Sequence, residues 1–104
     1  MAYRIKISPR AEWDLAWIYH QIRPERSELA LKWHRGLRQA IRGLSENPER
    51  CPMTPEDPTL RHLLYGKSPY VYRTFFRIGK KRRHVEVIHI RHGAQRPFTP
   101  ADLN

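Results

Sequence analysis

The chain has 104 residues, the length of one ordinary domain, and a formal net charge of +10 with a pI near 10.5. Its 39% hydrophobic content permits a modest core, and no run of about 18 apolar residues exists to form a membrane-spanning helix. One cysteine, Cys51, excludes an internal disulfide and any Cys-based metal site.

The opening segment alternates Tyr3, Ile5 and Ile7 with Arg4 and Lys6, which predicts a short strand with one apolar face. Ser8-Pro9 ends it and starts a helix, with Ser8 as N-cap and Pro9 at the first helical position. Glu12 and Asp14 follow near the positive end of the helix dipole. Ala11, Leu15, Ile18 and Ile22 form the buried stripe, and Trp13 and Trp17 are expected to pack beside it. Arg23-Pro24 breaks this helix. A second helix is expected from about Pro24 or Ser27 to Glu46, with Ala30, Trp33, Leu37, Ile41 and Leu44 facing the core. Gly36, Ala40 and Gly43 form a ridge of small residues beside that stripe, which suits close backbone approach to the first helix or a partner. The short connection makes the two helices an antiparallel hairpin. The proline-rich stretch 47–59 reads as an extended surface linker, and Leu60 to Tyr65 as a short strand.

The stretch from Tyr70 to Arg96 carries most of the functional signal. YVYRTFFRI and HVEVIHIRH are dense in aromatic and β-branched residues, separated by a turn with Gly79 and four consecutive cations. A strand period of two places Tyr70, Tyr72, Thr74, Phe76 and Ile78 on one face, and Val71, Arg73, Phe75 and Arg77 on the other. On the partner strand Ile88 and Ile90 point one way, His89 and Arg91 the other. With the apolar sets against a core, Arg73, Arg77, His89 and Arg91 line an open cationic groove floored by Phe75. The expected fold is therefore α+β, ordered β-α-α-β-β-β. A helical hairpin packs on one face of a small, mainly antiparallel sheet, in one domain spanning residues 1–104.

Of the 20 cations, 15 are Arg, whose planar fork suits phosphates and carboxylates. Nucleic acid and an acidic protein are the partners such a charge invites. Cleaving RNA through its own 2′-hydroxyl needs a base, an acid and cations for the phosphorane charge. His89 and His92 can titrate near neutrality, while Arg73, Arg96, Arg61 and Lys67 can hold charge. His20, His34, His62 and His84 read as structural or surface residues. No HxxxH pair or other metal set is present, and no cofactor is implied.

The element order, the segment from Tyr72 to Ile78, the closing His92-Gly93-Ala94-Gln95-Arg96 and the opening YRIKISPRAEWDLAWI together resemble the RelE/ParE toxins of bacterial type II toxin–antitoxin systems. The resemblance covers nearly the whole chain. It implies a cytoplasmic toxin neutralised by a cognate acidic antitoxin, reaching operator DNA only through that antitoxin, with no membrane partner. RelE-like members cleave ribosome-bound mRNA without a metal; ParE-like members inhibit DNA gyrase. The resemblance places Arg73 and Arg96 at the two arginine positions of the RelE-like site. With His89 and His92 they form the candidate catalytic set, and Arg61, Lys67, Arg77 and Arg91 the candidate target-binding set. The long second helix is the more ParE-like feature, and Lys67 is the only lysine near the place where the RelE pattern carries a pair. Endoribonuclease action is the leading expectation, gyrase inhibition the alternative.

Overall fold

A computed structural model describes residues 2–67 and 70–93. The order is β1 (Arg4–Ile7), α1 (Pro9–Ile22), α2 (Glu28–Arg42), β2 (Arg61–Tyr65), β3 (Tyr72–Gly79) and β4 (His84–His92). Short 3-10 turns at Pro24–Arg26, Gly43–Ser45 and Pro48–Arg50 fill the connections. The second helix is thus shorter than its periodicity suggests, with a tighter turn at each end. Both helices start as the sequence dictates. The Ser8 hydroxyl accepts from the Ala11 N–H, and the Ser27 hydroxyl from the Ala30 N–H, each satisfying a donor that has no partner in the first turn.

The four strands form one sheet in the order β1-β4-β3-β2. β2–β3 and β3–β4 pair antiparallel, while β1 runs parallel to β4 over Arg4↔His84 to Ile7↔Val87. The α+β architecture with two helices on a mostly antiparallel sheet is the expected one. Ala11 and Ile18 of α1, Leu37 and Ile41 of α2, and Leu44 bury against Phe76, Val85, Val87 and Ile90 of the sheet. Partly buried Ile5, Ile7, Tyr72 and Ile78 complete this core.

That set breaks strict alternation. Val85, Val87 and Ile90 lie in one core although 87 and 90 differ in parity. The pairing explains it: Phe75 faces His89, but the next residue, Phe76, faces Val87, so Ile88 is an extra residue in β4. Such a bulge shifts the alternation by one position. Ile88 turns to the far side and packs with Phe75 and Leu60 in a second, smaller cluster.

The far side is consequently not an open groove, as the alternation alone suggests. Phe75 is fully buried rather than a solvent-facing floor, because the 47–60 segment folds beneath it. Backbone bonds tie that segment down: His62 N–H to the Pro52 carbonyl, Thr54 N–H to the Leu60 carbonyl, and a bridge between Met53 and Arg61. Gly36 also has a specific neighbour. A Cβ there would overlap the Tyr65 hydroxyl, which donates to the Trp33 carbonyl at 2.9 Å. The close approach is therefore between α2 and the sheet, not between the helices, and a Cβ at Gly43 would meet nothing within 4 Å.

Gly66 leaves β2 at φ +104, and a Cβ there would run into the Tyr70 carbonyl oxygen. Backbone strain and overlap act in the same direction. Gly66→Ala is expected to destabilise the fold by about 2 kcal/mol, lowering Tm by roughly 10 °C in a thermal melt followed by circular dichroism.

Candidate functional site

Two polar clusters flank the central strands. The first joins α1 to β4. Asp14 shares the stripe Ala11, Asp14, Ile18, and is 5% exposed. Its Oδ2 accepts from the Ile90 N–H at 2.9 Å and lies 2.8 Å from His89 Nδ1; its Oδ1 accepts from Arg10 Nε at 3.2 Å. Burial pushes the Asp14 carboxyl up, but the bonds from His89, Ile90 and Arg10 outweigh it and hold the carboxyl below its ordinary value. His89 is 3% exposed and lies near-parallel to Phe75, with ring centroids 6.0 Å apart. The expectation of a solvent-facing His89 beside Arg91 is corrected: the bulge and the α1 carboxylate draw it into the interior.

The second cluster lies on the side of the sheet away from the helices. Arg73 is opposite Arg91 in the ladder and makes a two-pronged bond to Glu56, at 2.5 and 2.8 Å. Its Nε donates to His62 Nδ1 at 3.1 Å, and its guanidinium sits 4.5 Å from the Phe75 ring centre. Fork-to-carboxylate geometry of this kind is the strongest arginine pairing available. It holds the Glu56 carboxyl below its usual range. Burial, and then the adjacent Arg73 charge, push His62 down, favouring the neutral imidazole that can accept from Nε.

The remaining candidates are dispersed. Arg61 donates to the Glu49 and Cys51 carbonyls at 3.2 and 2.6 Å, holding the loop. Arg77 pairs with Glu86 at 3.5 Å on the surface. His92 meets the Tyr72 ring edge-on at 5.0 Å, on the helix side of the sheet. Exposed Lys67 borders an aromatic recess with Trp33, Tyr65 and Tyr70. Arg96 lies outside the described residues. The structure thus sets Arg91 opposite Arg73 in the ladder, while Arg91 and His92 line one cleft at the end of β4 that Arg73 does not reach. His34, expected to be structural, is buried and bonded to the Leu15 carbonyl at 3.2 Å. Among the described residues no three His, Cys, Asp or Glu side chains converge as a metal site requires.

Sequence reasoning did not single out Asp14 or Glu56. Asp14 left a trace, as a carboxylate in phase with Ala11 and Ile18. Glu56 left none, since it is one acid in an irregular proline-rich segment.

A family model for the ParE toxin of type II toxin–antitoxin systems, parDE, matches residues 5–97. The chain belongs to this ParE toxin family. Solved structures of similar fold agree. One, a chromosomal ParDE toxin–antitoxin system from P. aeruginosa, is 22% identical with a TM-score of 0.68, covering 88% of this chain and 96% of that one. A double arginine-to-alanine mutant of E. coli toxin RelE in the free state is 18% identical, TM-score 0.62, covering 90% and 86%. The RelBE2 toxin–antitoxin complex from Mycobacterium tuberculosis is 19% identical, TM-score 0.63, covering 91% and 95%. At these identities the solved structures establish the fold of this ParE-family chain. No curated protein is significantly similar to it in sequence.

The Asp14 cluster makes a pH prediction. A carboxyl depressed in the folded state contributes stability above its unfolded value, and that stability is lost as pH falls through the folded value. Resistance to unfolding should therefore decline below the ordinary carboxylate value of 3.8. Asp14→Ala, which strands the Ile90 N–H and His89, should cost about 3 kcal/mol at neutral pH. Urea titrations from pH 7 to pH 3 check both; an unchanged midpoint in the variant contradicts the assignment.

Proposed function

We propose that this ParE-family chain arrests growth by binding a protein target, DNA gyrase, without cleaving RNA, and that an acidic antitoxin neutralises it. The observation that carries this reading is the engagement of Arg73. Resemblance puts this residue at the first arginine position of a RelE-like site, yet its guanidinium is closed on Glu56 and His62. An RNA phosphate would have to displace a resident carboxylate, and charged hydrogen bonds contribute about 1.5–3 kcal/mol each. Phosphorane stabilisation works best when the cations are already free and aimed at the developing charge. His89 likewise has its Nδ1 tied to Asp14 and its ring against Phe75, below the surface. The match to a ParE family model points the same way.

The antitoxin half of the proposal rests on charge and on relatives. A net charge of +10 on 104 residues favours an acidic partner that associates quickly and salt-sensitively. The solved relatives include a ParDE system and a RelBE2 complex. Contact with operator DNA would come through the antitoxin.

Induction of the chain should relax plasmid DNA within the first generation while a reporter mRNA stays full length. Arg73→Ala, if folded, should remain toxic. Rapid mRNA fragmentation at constant supercoiling, with Arg73→Ala harmless, would overturn the gyrase reading in favour of RNA cleavage.

A further inference from the structure

Trp13 and Trp17 do not pack into the core as their spacing suggests. They are 59% and 52% exposed, and their rings stack on each other with centroids 5.7 Å apart and planes 4° from parallel. Two large apolar faces in water on a strongly basic chain contrast with Ala11 and Ile18 of the same helix, which are buried. Isolated exposed apolar residues need no explanation, but an adjoining pair beside a cleft marks an interaction site.

The pair forms one wall of a cleft of about 330 Å³ between α1 and the end of β4. Tyr72, Arg91 and His92 form the opposite side, Arg10 and Gln21 close the ends, and the bonded Asp14–His89 pair lies at the base. Among the described residues Asp14 is the one acid lining this cleft, and it is buried and already bonded to Arg10, His89 and Ile90. The electrostatic character of the mouth is therefore positive. Trp, Tyr and Arg around a recess are also the residue types that dominate protein–protein binding energy.

We infer that this cleft seats an apolar side chain of an acidic protein segment, whose flanking carboxylates meet Arg10, Arg91 and His92. The inference rests on the antitoxin reading above and identifies where that partner holds the toxin. Nucleic acid fits the cleft less well. Stacked against each other, the indoles have only their outer faces left for a base. A protein side chain entering the cleft can bury both the indole edges and the Tyr72 ring. Arg73 does not line the cleft, so this anchor is separate from the Glu56–Arg73 pair.

The test uses the full chain produced with the product of the adjacent gene, and affinities measured by titration calorimetry. Trp13→Ala/Trp17→Ala should weaken binding at least about 100-fold, Trp13→Phe/Trp17→Phe should restore most of it, and Glu56→Gln should bind as the unaltered chain does. Because both indoles are more than half exposed, the melting curve of the alanine variant should stay close to that of the unaltered chain. Normal binding by the alanine variant overturns the inference alone, including the case in which that variant binds normally but no longer inhibits supercoiling. Failure of the unaltered chain to bind the adjacent product overturns it together with the antitoxin reading. Single-stranded (dT)15 serves as the competing probe. Indole quenching by (dT)15 that the alanine variant loses, with protein binding unaffected, assigns the cleft to nucleic acid instead.

Discussion

The fold depends on a carboxylate doing the work of a missing strand. β1 is four residues long and pairs with only the first half of β4. Beyond Val87 the edge of β4 would present unpaired backbone groups inside the protein, at a cost of about 1–3 kcal/mol each. α1 supplies the partners. Ser8 donates its N–H to the Val87 carbonyl and its hydroxyl to the Ile88 carbonyl, and Asp14 accepts the Ile90 N–H. The helix therefore seals the edge that the short strand leaves. The same Asp14 oxygen binds His89, so edge sealing and imidazole burial are one arrangement.

The β-bulge follows from this constraint. Val85 and Val87 must face α1 and α2 on the β1-paired half of β4, and Ile90 must face them on the α1-sealed half. With a strict period of two, Ile90 would turn away from the core. One extra residue, Ile88, brings Ile90 back and leaves Ile88 to cover Phe75 from the far side. The chain thus builds a second small core under the sheet, and the 47–60 segment becomes its lid, which carries Glu56 to Arg73.

Function divides along the same lines. The far face is rich in arginine, but its central guanidinium is closed by a carboxylate from the lid. On the near face, the α1 turn that provides Asp14 also presents Trp13 and Trp17 outward, beside Arg91 and His92. Action by binding, as proposed above, needs accessible anchors more than it needs poised acids and bases. The aromatic cleft supplies accessible anchors, whereas His89 and Arg73 are committed within the chain.

The sequence by itself determined the element order, both N-caps, the α2 stripe and the basic character of the chain. These are local or additive properties: a serine caps the helix three residues away, a stripe repeats every three or four residues, and charge sums over the chain. Only the tertiary structure decided which groups meet. Asp14 and His89 are 75 positions apart, and Glu56 lies 17 positions before Arg73 in an irregular segment on the other side of β2, so no periodicity links either pair. The exposure of Trp13 and Trp17 was illegible for a related reason. The helix stripe is broad enough to include them, and their burial depends on whether another element covers that flank of α1. The bulge completes the list, because one inserted residue inverts the facing of everything beyond it, and its position is set by cross-strand pairing rather than by the β4 sequence.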